Sequence, residues 1–147
     1  MTNIGRLREL SSRERRLLAS AFVSLPIVAL GLRMLGFTRL RGLLSRHSSP
    51  QTNNSESARS VAQMVRIAAD HGLIAANCLE RSLTLWWLLA RRGIESDLRI
   101  GVRTASGQFE AHAWVERDGI ALNDSKDVSH RYSPFDWTQL PVNTKFN

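Results

Sequence analysis

Apolar positions recur at helical spacing early in the chain. Leu17, Leu18, Phe22 and Leu25 follow Ser11 and Glu14, whose three-residue separation matches a capping box, and this pattern predicts a helix over about 12–25. Pro26 has no amide hydrogen to give the preceding turn, so it is expected to kink this helix or to open a second one over about 26–36, with a third short helix over 37–46. The stretch 47–57, HSSPQTNNSES, is polar and dense in turn formers and reads as a linker. It divides the chain into a basic helical subregion, 1–46, and a second unit, 58–147. Val61, Met64, Val65 and Ile67 or Ala68 then mark one face of a helix, which Gly72 is expected to end as a left-handed cap.

The next helix carries start and stop signals at both ends. Asn77 is its cap, Arg91 and Arg92 occupy the last turn, and Gly93 stands just beyond. Leu79, Leu83, Leu85, Trp86, Trp87, Leu88 and Leu89 make it apolar nearly all round, so it must be buried centrally. After it the period changes to two. Leu98, Ile100 and Val102 alternate with Arg99, Gly101 and Arg103, and Phe109, Ala111, Ala113 and Val115 alternate with Glu110, His112, Trp114 and Glu116. Arg117, Asp118 and Gly119 turn the chain into IALND, and the remainder is expected to hold one short strand with irregular packing. Helices followed by an antiparallel hairpin make an α+β domain.

Composition adds limits. The 147 residues, 43% hydrophobic and 22% charged, suit one domain with one core. The formal charge of +7 is confined to the first 50 residues, with nine arginines against Glu9 and Glu14, while the rest holds eleven basic and eleven acidic residues. Such asymmetry suggests a basic face for an acidic partner, or simply a solvated basic helix. Nucleic acid is disfavoured, because Phe22 and Phe37 are the only aromatics among those arginines. The uncharged run between Arg16 and Arg33 is sixteen residues long and holds Pro26, which does not support a transmembrane span. No small-residue cleavage site follows it as in a signal peptide, and a cytoplasmic location is expected. Ligands at zinc spacing and glycine-rich phosphate loops are missing, so no metal or nucleotide cofactor is expected.

With one cysteine in the chain, Cys78 is either a small core residue or a reactive group. It would be the first residue inside the central helix, where unpaired amides and the helix dipole favour thiolate and could also hold an oxyanion. Of the four histidines, His112 alone falls in a strand; His47 lies in the linker, His71 before Gly72 and His130 in the tail. If the hairpin loop is the three residues 117–119, Asp124 lies directly across from His112 and its carboxylate can orient the imidazole. A loop of two residues would instead put Asn123 and Ser125 on the His112 face, so register decides the third member. Arg81, one turn after Cys78, would meet substrate or pair with Glu110 or Glu116.

The blocks NCLERSLTLWWLLARRGIESDLRIGVR, 77–103, and FEAHAWVERDGIALND, 109–124, resemble the cysteine helix and the histidine and aspartate strands of the stand-alone leader peptidases of lasso-peptide biosynthesis, which are transglutaminase-like proteins. More loosely, the arginine-rich start is similar too. The resemblance implies a transglutaminase-like, papain-like core with the cysteine helix packed on a small antiparallel sheet. It implies that Cys78 attacks the scissile bond, His112 shuttles the proton and Asp124 orients His112. The implied substrate is a ribosomally made precursor peptide, whose freed core is cyclised by a separate macrocyclase. The implied partner is a small leader-binding protein meeting the basic start, in which case deletion of residues 1–46 should spare the fold but abolish leader cleavage in the presence of that partner. Acyl transfer to an amine would use the same three residues. A non-enzymatic peptide-binding adaptor is the reading from another class.

Overall fold

A computed structural model describes residues 10–46 and 55–135. Four helices precede the sheet: α1 Ser12–Leu35, α2 Phe37–Ser45, α3 Ser55–His71 and α4 Cys78–Ala90. Strands β1 Asp97–Ala105, β2 Gln108–Arg117 and β3 Ile120–Ala121 follow, then the single turn α5 Val128–Arg131 and β4 Ser133–Pro134. The sheet is antiparallel, in the order β3-β2-β1-β4. The architecture is α+β, with the cysteine-bearing helix against a small sheet.

Helix α1 starts where its capping box requires. The Glu14 amide donates to Ser11 Oγ at 3.3 Å, and the Ser11 amide donates to Glu14 Oε2 at 2.8 Å. Of the two outcomes expected at Pro26, a second helix does not open there, and α1 runs on to Leu35. Pro26 lies on the exposed side, where the Phe22 carbonyl loses its helical donor, while Leu25, Val28 and Ala29 around it are buried. Core packing on one face thus carries the helix past the proline. The continuous helix is long and apolar enough to cross a membrane by length and composition, with a third of its most apolar stretch buried inside the protein.

The proposed division of the chain is not a division of its core. Leu17, Ala21 and Leu25 of α1 share one cluster with Val61, Met64 and Val65 of α3, Leu85, Leu88 and Leu89 of α4, and Val115 of β2. Each of those leucines contributes roughly 1.5–3 kcal/mol by leaving water. Removing residues 1–46 would uncover that surface, which argues against the expectation that such a deletion spares the fold. The linker expected over 47–57 is shorter, since α3 begins at Ser55, and residues 47–54, with His47, lie outside the described residues.

Helix α3 ends at His71, but Gly72 is not the left-handed cap expected of it: the positive φ angles at glycine belong to Gly36, Gly93, Gly107 and Gly119. A Cβ on Gly72 would stand 2.5 Å from the Ala68 carbonyl oxygen, so the close approach of backbone explains the residue. Helix α4 is buried as its composition requires, and its buried positions also include Glu80, Ser82 and Thr84.

The β1–β2 hairpin pairs Ile100 with Ala113 and Gly101 with His112, and two residues, Ser106 and Gly107, close it. The β2–β3 turn also has two residues. Arg117 pairs with Ile120, and Asp118 and Gly119 both take positive φ, at 51° and 74°, as a type I′ turn demands. The three-residue loop expected from the sequence is therefore corrected. Ala111, Ala113 and Val115 are buried on the α4 side of the sheet. Trp114 on the other side packs with Val128 and Tyr132, which fold back over it. Short strand β4 appears as expected near the carboxy terminus, α5 was not foreseen, and residues 136–147 lie outside the described residues.

Candidate active site

Helix α4 begins with a second capping box. The Glu80 amide donates to Asn77 Oδ1 at 2.9 Å, and the Asn77 amide donates to Glu80 Oε2 at 3.0 Å. Those bonds take the Asn77 and Glu80 amides and leave those of Cys78 and Leu79, which act on the thiol of Cys78, the first helical residue. A third amide, that of Ala113 in β2, also acts on it. The sulfur therefore lies at the edge of β2, beside the residue that follows His112.

That edge is open because β3 stops after two residues. The last ladder bond runs from the Leu122 amide to the Val115 carbonyl, at 2.8 Å, and the chain then bends away. Side chains take over the vacated ladder positions. The Val115 amide donates to Asn123 Oδ1 at 2.8 Å, Asn123 Nδ2 donates to Ser82 Oγ at 2.9 Å, and Ser82 Oγ donates to the Ala113 carbonyl at 2.9 Å. Ser82 is fully buried. This chain of bonds fixes α4, β2 and the 122–125 bend to one another.

The bend brings Asp124 to His112. His112 Nε2 and Asp124 Oδ2 are 2.5 Å apart, and because an ionised carboxylate can only accept, the imidazole donates its Nε2–H to it. Asp124 Oδ1 accepts from the Ser125 amide at 2.7 Å and from Arg131 Nη2 at 3.2 Å. Burial raises the Asp124 carboxyl, but the bonds from His112 and Ser125 outweigh it and hold the group below its ordinary pKa. The His112 ring stacks on Tyr132, with centroids 5.0 Å apart, and on Trp114 at 6.1 Å. Trp114 Nε1 in turn donates to Glu116 Oε1 at 2.7 Å.

Burial also governs Cys78, and there it prevails. It pushes the thiol above its ordinary pKa; the Ala113, Leu79 and Cys78 amides pull the other way by less, and the charge of Asp124 adds to the rise. The helix start acts in the expected direction yet does not by itself make a resting thiolate.

Arg81 pairs with neither Glu110 nor Glu116. Its Nη1 meets Asp70 of α3 at 3.1 Å and its Nε donates to the Ala76 carbonyl at 2.9 Å, while Glu110 holds Arg103 and Glu116 holds Arg99. Ser82, Arg131 and Tyr132 were not anticipated as neighbours of the site. A buried serine at i+4 from the cysteine was the one available hint. Among the described residues no three His, Cys, Asp or Glu side chains are grouped to hold a metal ion.

A family model described as transglutaminase-like superfamily matches residues 21–135, from the middle of α1 to the end of β4. The chain belongs to the transglutaminase-like superfamily. The chain is also 36% identical over 61 residues to the microcin J25-processing protein McjB of Escherichia coli, a match covering 42% of this chain and 28% of that relative. No solved structure matches the chain. The superfamily is the one that the resemblance of residues 77–103 and 109–124 implied.

Proposed function

We propose that this protein is a cysteine peptidase that removes the leader from a ribosomally made precursor peptide during lasso-peptide maturation. The observation carrying the proposal is the bond from His112 Nε2 to Asp124, whose charge also acts on the Cys78 thiol at the start of α4. It presents an imidazole oriented by a carboxylate, and the thiol of Cys78, which burial raises above its ordinary pKa, needs such a base. The partial likeness to a microcin-processing protein supports a peptide substrate.

In the proposed reaction Nδ1 of His112 takes the thiol proton as sulfur attacks the scissile carbonyl. The Cys78 and Leu79 amides stabilise the oxyanion, and the imidazolium, held by Asp124, returns its proton to the leaving amine. A water molecule then attacks the thioester with His112 as base, releasing the leader carboxylate and restoring the thiol. The basic start of the chain meets the small leader-binding protein, and the released core passes to the macrocyclase.

The test is to incubate protein, leader-binding partner and precursor peptide and to weigh the products. Two fragments summing to the precursor plus one water are expected, and none with Cys78→Ala. Cleavage that survives Cys78→Ala overturns the proposal. A leader that appears only as an amide of an added primary amine would replace hydrolysis by acyl transfer.

A further inference from the structure

A cleft of about 410 Å³ opens between α3 and the bend that follows β3. Its floor is apolar, formed by Ala62, Val65 and Leu122, and Asn123 and Asp124 stand at the end nearest the site. Arg59, Gln63 and Arg66 line it from the exposed side of α3, at the i, i+4, i+7 spacing that stacks side chains along one helix face. Arg81, the other basic side chain there, comes from α4 one turn beyond Cys78.

The charges in this cleft do not cancel. Asp124 is the one carboxylate lining it, and Asp124 already accepts from His112, Ser125 and Arg131. Arg81 is engaged by Asp70. Arg59 and Arg66 have no acidic partner among the described residues, and two like charges two turns apart, about 10 Å along the axis, await an anion. The lining has no aromatic ring on which a nucleic-acid base would stack. An apolar floor with a basic wall suits an extended peptide that alternates an apolar and an acidic side chain.

Building on the peptidase reading, we propose that this cleft seats the substrate peptide and that Arg59 and Arg66 select an Asp or Glu side chain within a few residues of the scissile bond. They are specificity residues. They act on a part of the substrate that does not react, so their loss is felt in binding before chemistry.

Two synthetic ten-residue peptide pools test this, identical except that one carries Asp and Glu where the other carries Asn and Gln. In the binding arm, fluorescein-labelled pools are titrated onto the full-length Cys78→Ala protein. The acidic pool should bind about tenfold more tightly, and the difference should vanish in Arg59→Gln/Arg66→Gln. In the cleavage arm, products of the intact protein should show acidic residues enriched near the cut. Arg66→Glu should move the preference toward Lys and Arg, while Arg46→Gln, remote from the cleft, should leave it in place. Thermal melting of each variant checks that it is folded. Equal affinity for both pools overturns the inference even if cleavage occurs. Acid-selective binding lost with the two arginines, in a protein that cuts nothing, upholds the cleft and overturns the peptidase reading instead.

Discussion

Asn123→Ala tests the idea that side chains replace the missing ladder at the open edge of β2. The substitution removes the acceptor of the Val115 amide and the donor to Ser82 Oγ, and both Val115 and Ser82 are fully buried. A buried amide left without a partner costs about 1–3 kcal/mol, and the lost bond to Ser82 adds about 1 kcal/mol. The expected loss is therefore about 2–4 kcal/mol, which in a chain of this length lowers the melting temperature by roughly 5–15 °C. Urea unfolding followed by tryptophan fluorescence measures the first quantity and calorimetry the second. Because Asn123 holds the bend that carries Asp124, peptide cleavage should fall more than the melting curve alone explains when assayed well below the new midpoint. Ser82→Ala supplies the other side of a double-mutant cycle, and the pair should couple by about 0.5–1.5 kcal/mol. A loss below about 0.5 kcal/mol for Asn123→Ala, with normal cleavage, would refute the account.

Alkylation of Cys78 by iodoacetamide should rise with pH with an apparent pKa above that of a free thiol, since burial disfavours the thiolate; a midpoint below the free-thiol value would contradict this. The Asp124 carboxyl is lowered in the folded state, so its contribution to stability is present above the unfolded pKa and is lost as pH falls through the folded value. The melting temperatures of wild type and Asp124→Asn should accordingly converge in acid, and a gap that widens there would reverse the assigned sign. Gly101→Ala should destabilise by about 1–3 kcal/mol and impair cleavage, because the new Cβ would lie 2.6 Å from the Tyr132 Cβ and 2.9 Å from the Trp114 ring, both of which pack near His112. Expression of 47–147 alone should yield no cooperative melting transition, because α1 leaves one whole side of the α3–α4 core; a sharp transition would show that the core closes without it.

Elements whose signals are local were legible in the sequence. The caps at Ser11 and Asn77 announce α1 and α4, and the two-residue alternation at 98–102 and 109–115 announces the hairpin. Tertiary packing overrode local chemistry at Pro26, where a residue that ends isolated helices is carried by a buried face. The placement of Asp124 shows a different limit. The sequence argument brought it to His112 through a three-residue loop, whereas the loop has two residues and Asp124 arrives by a bend that begins at Leu122. The bend depends on Asn123 finding Ser82, forty-one positions earlier, and pairing at that range has no periodic signature. Arg131 and Tyr132 reach the site from a segment without a clear apolar period, so their contacts with Asp124 and His112 were equally hidden.

The brevity of β3 frees the acid from odd-and-even counting. In a full-length strand, adding or removing one residue at the Asp118–Gly119 turn would swing every later side chain to the opposite face. Here the rule lapses after Leu122, and the path from Leu122 to Ser125 alone sets the direction of the carboxylate. Relatives with longer or shorter turns can therefore keep the same contact at a different distance from the histidine. A search that insists on a separation of twelve positions would pass them over.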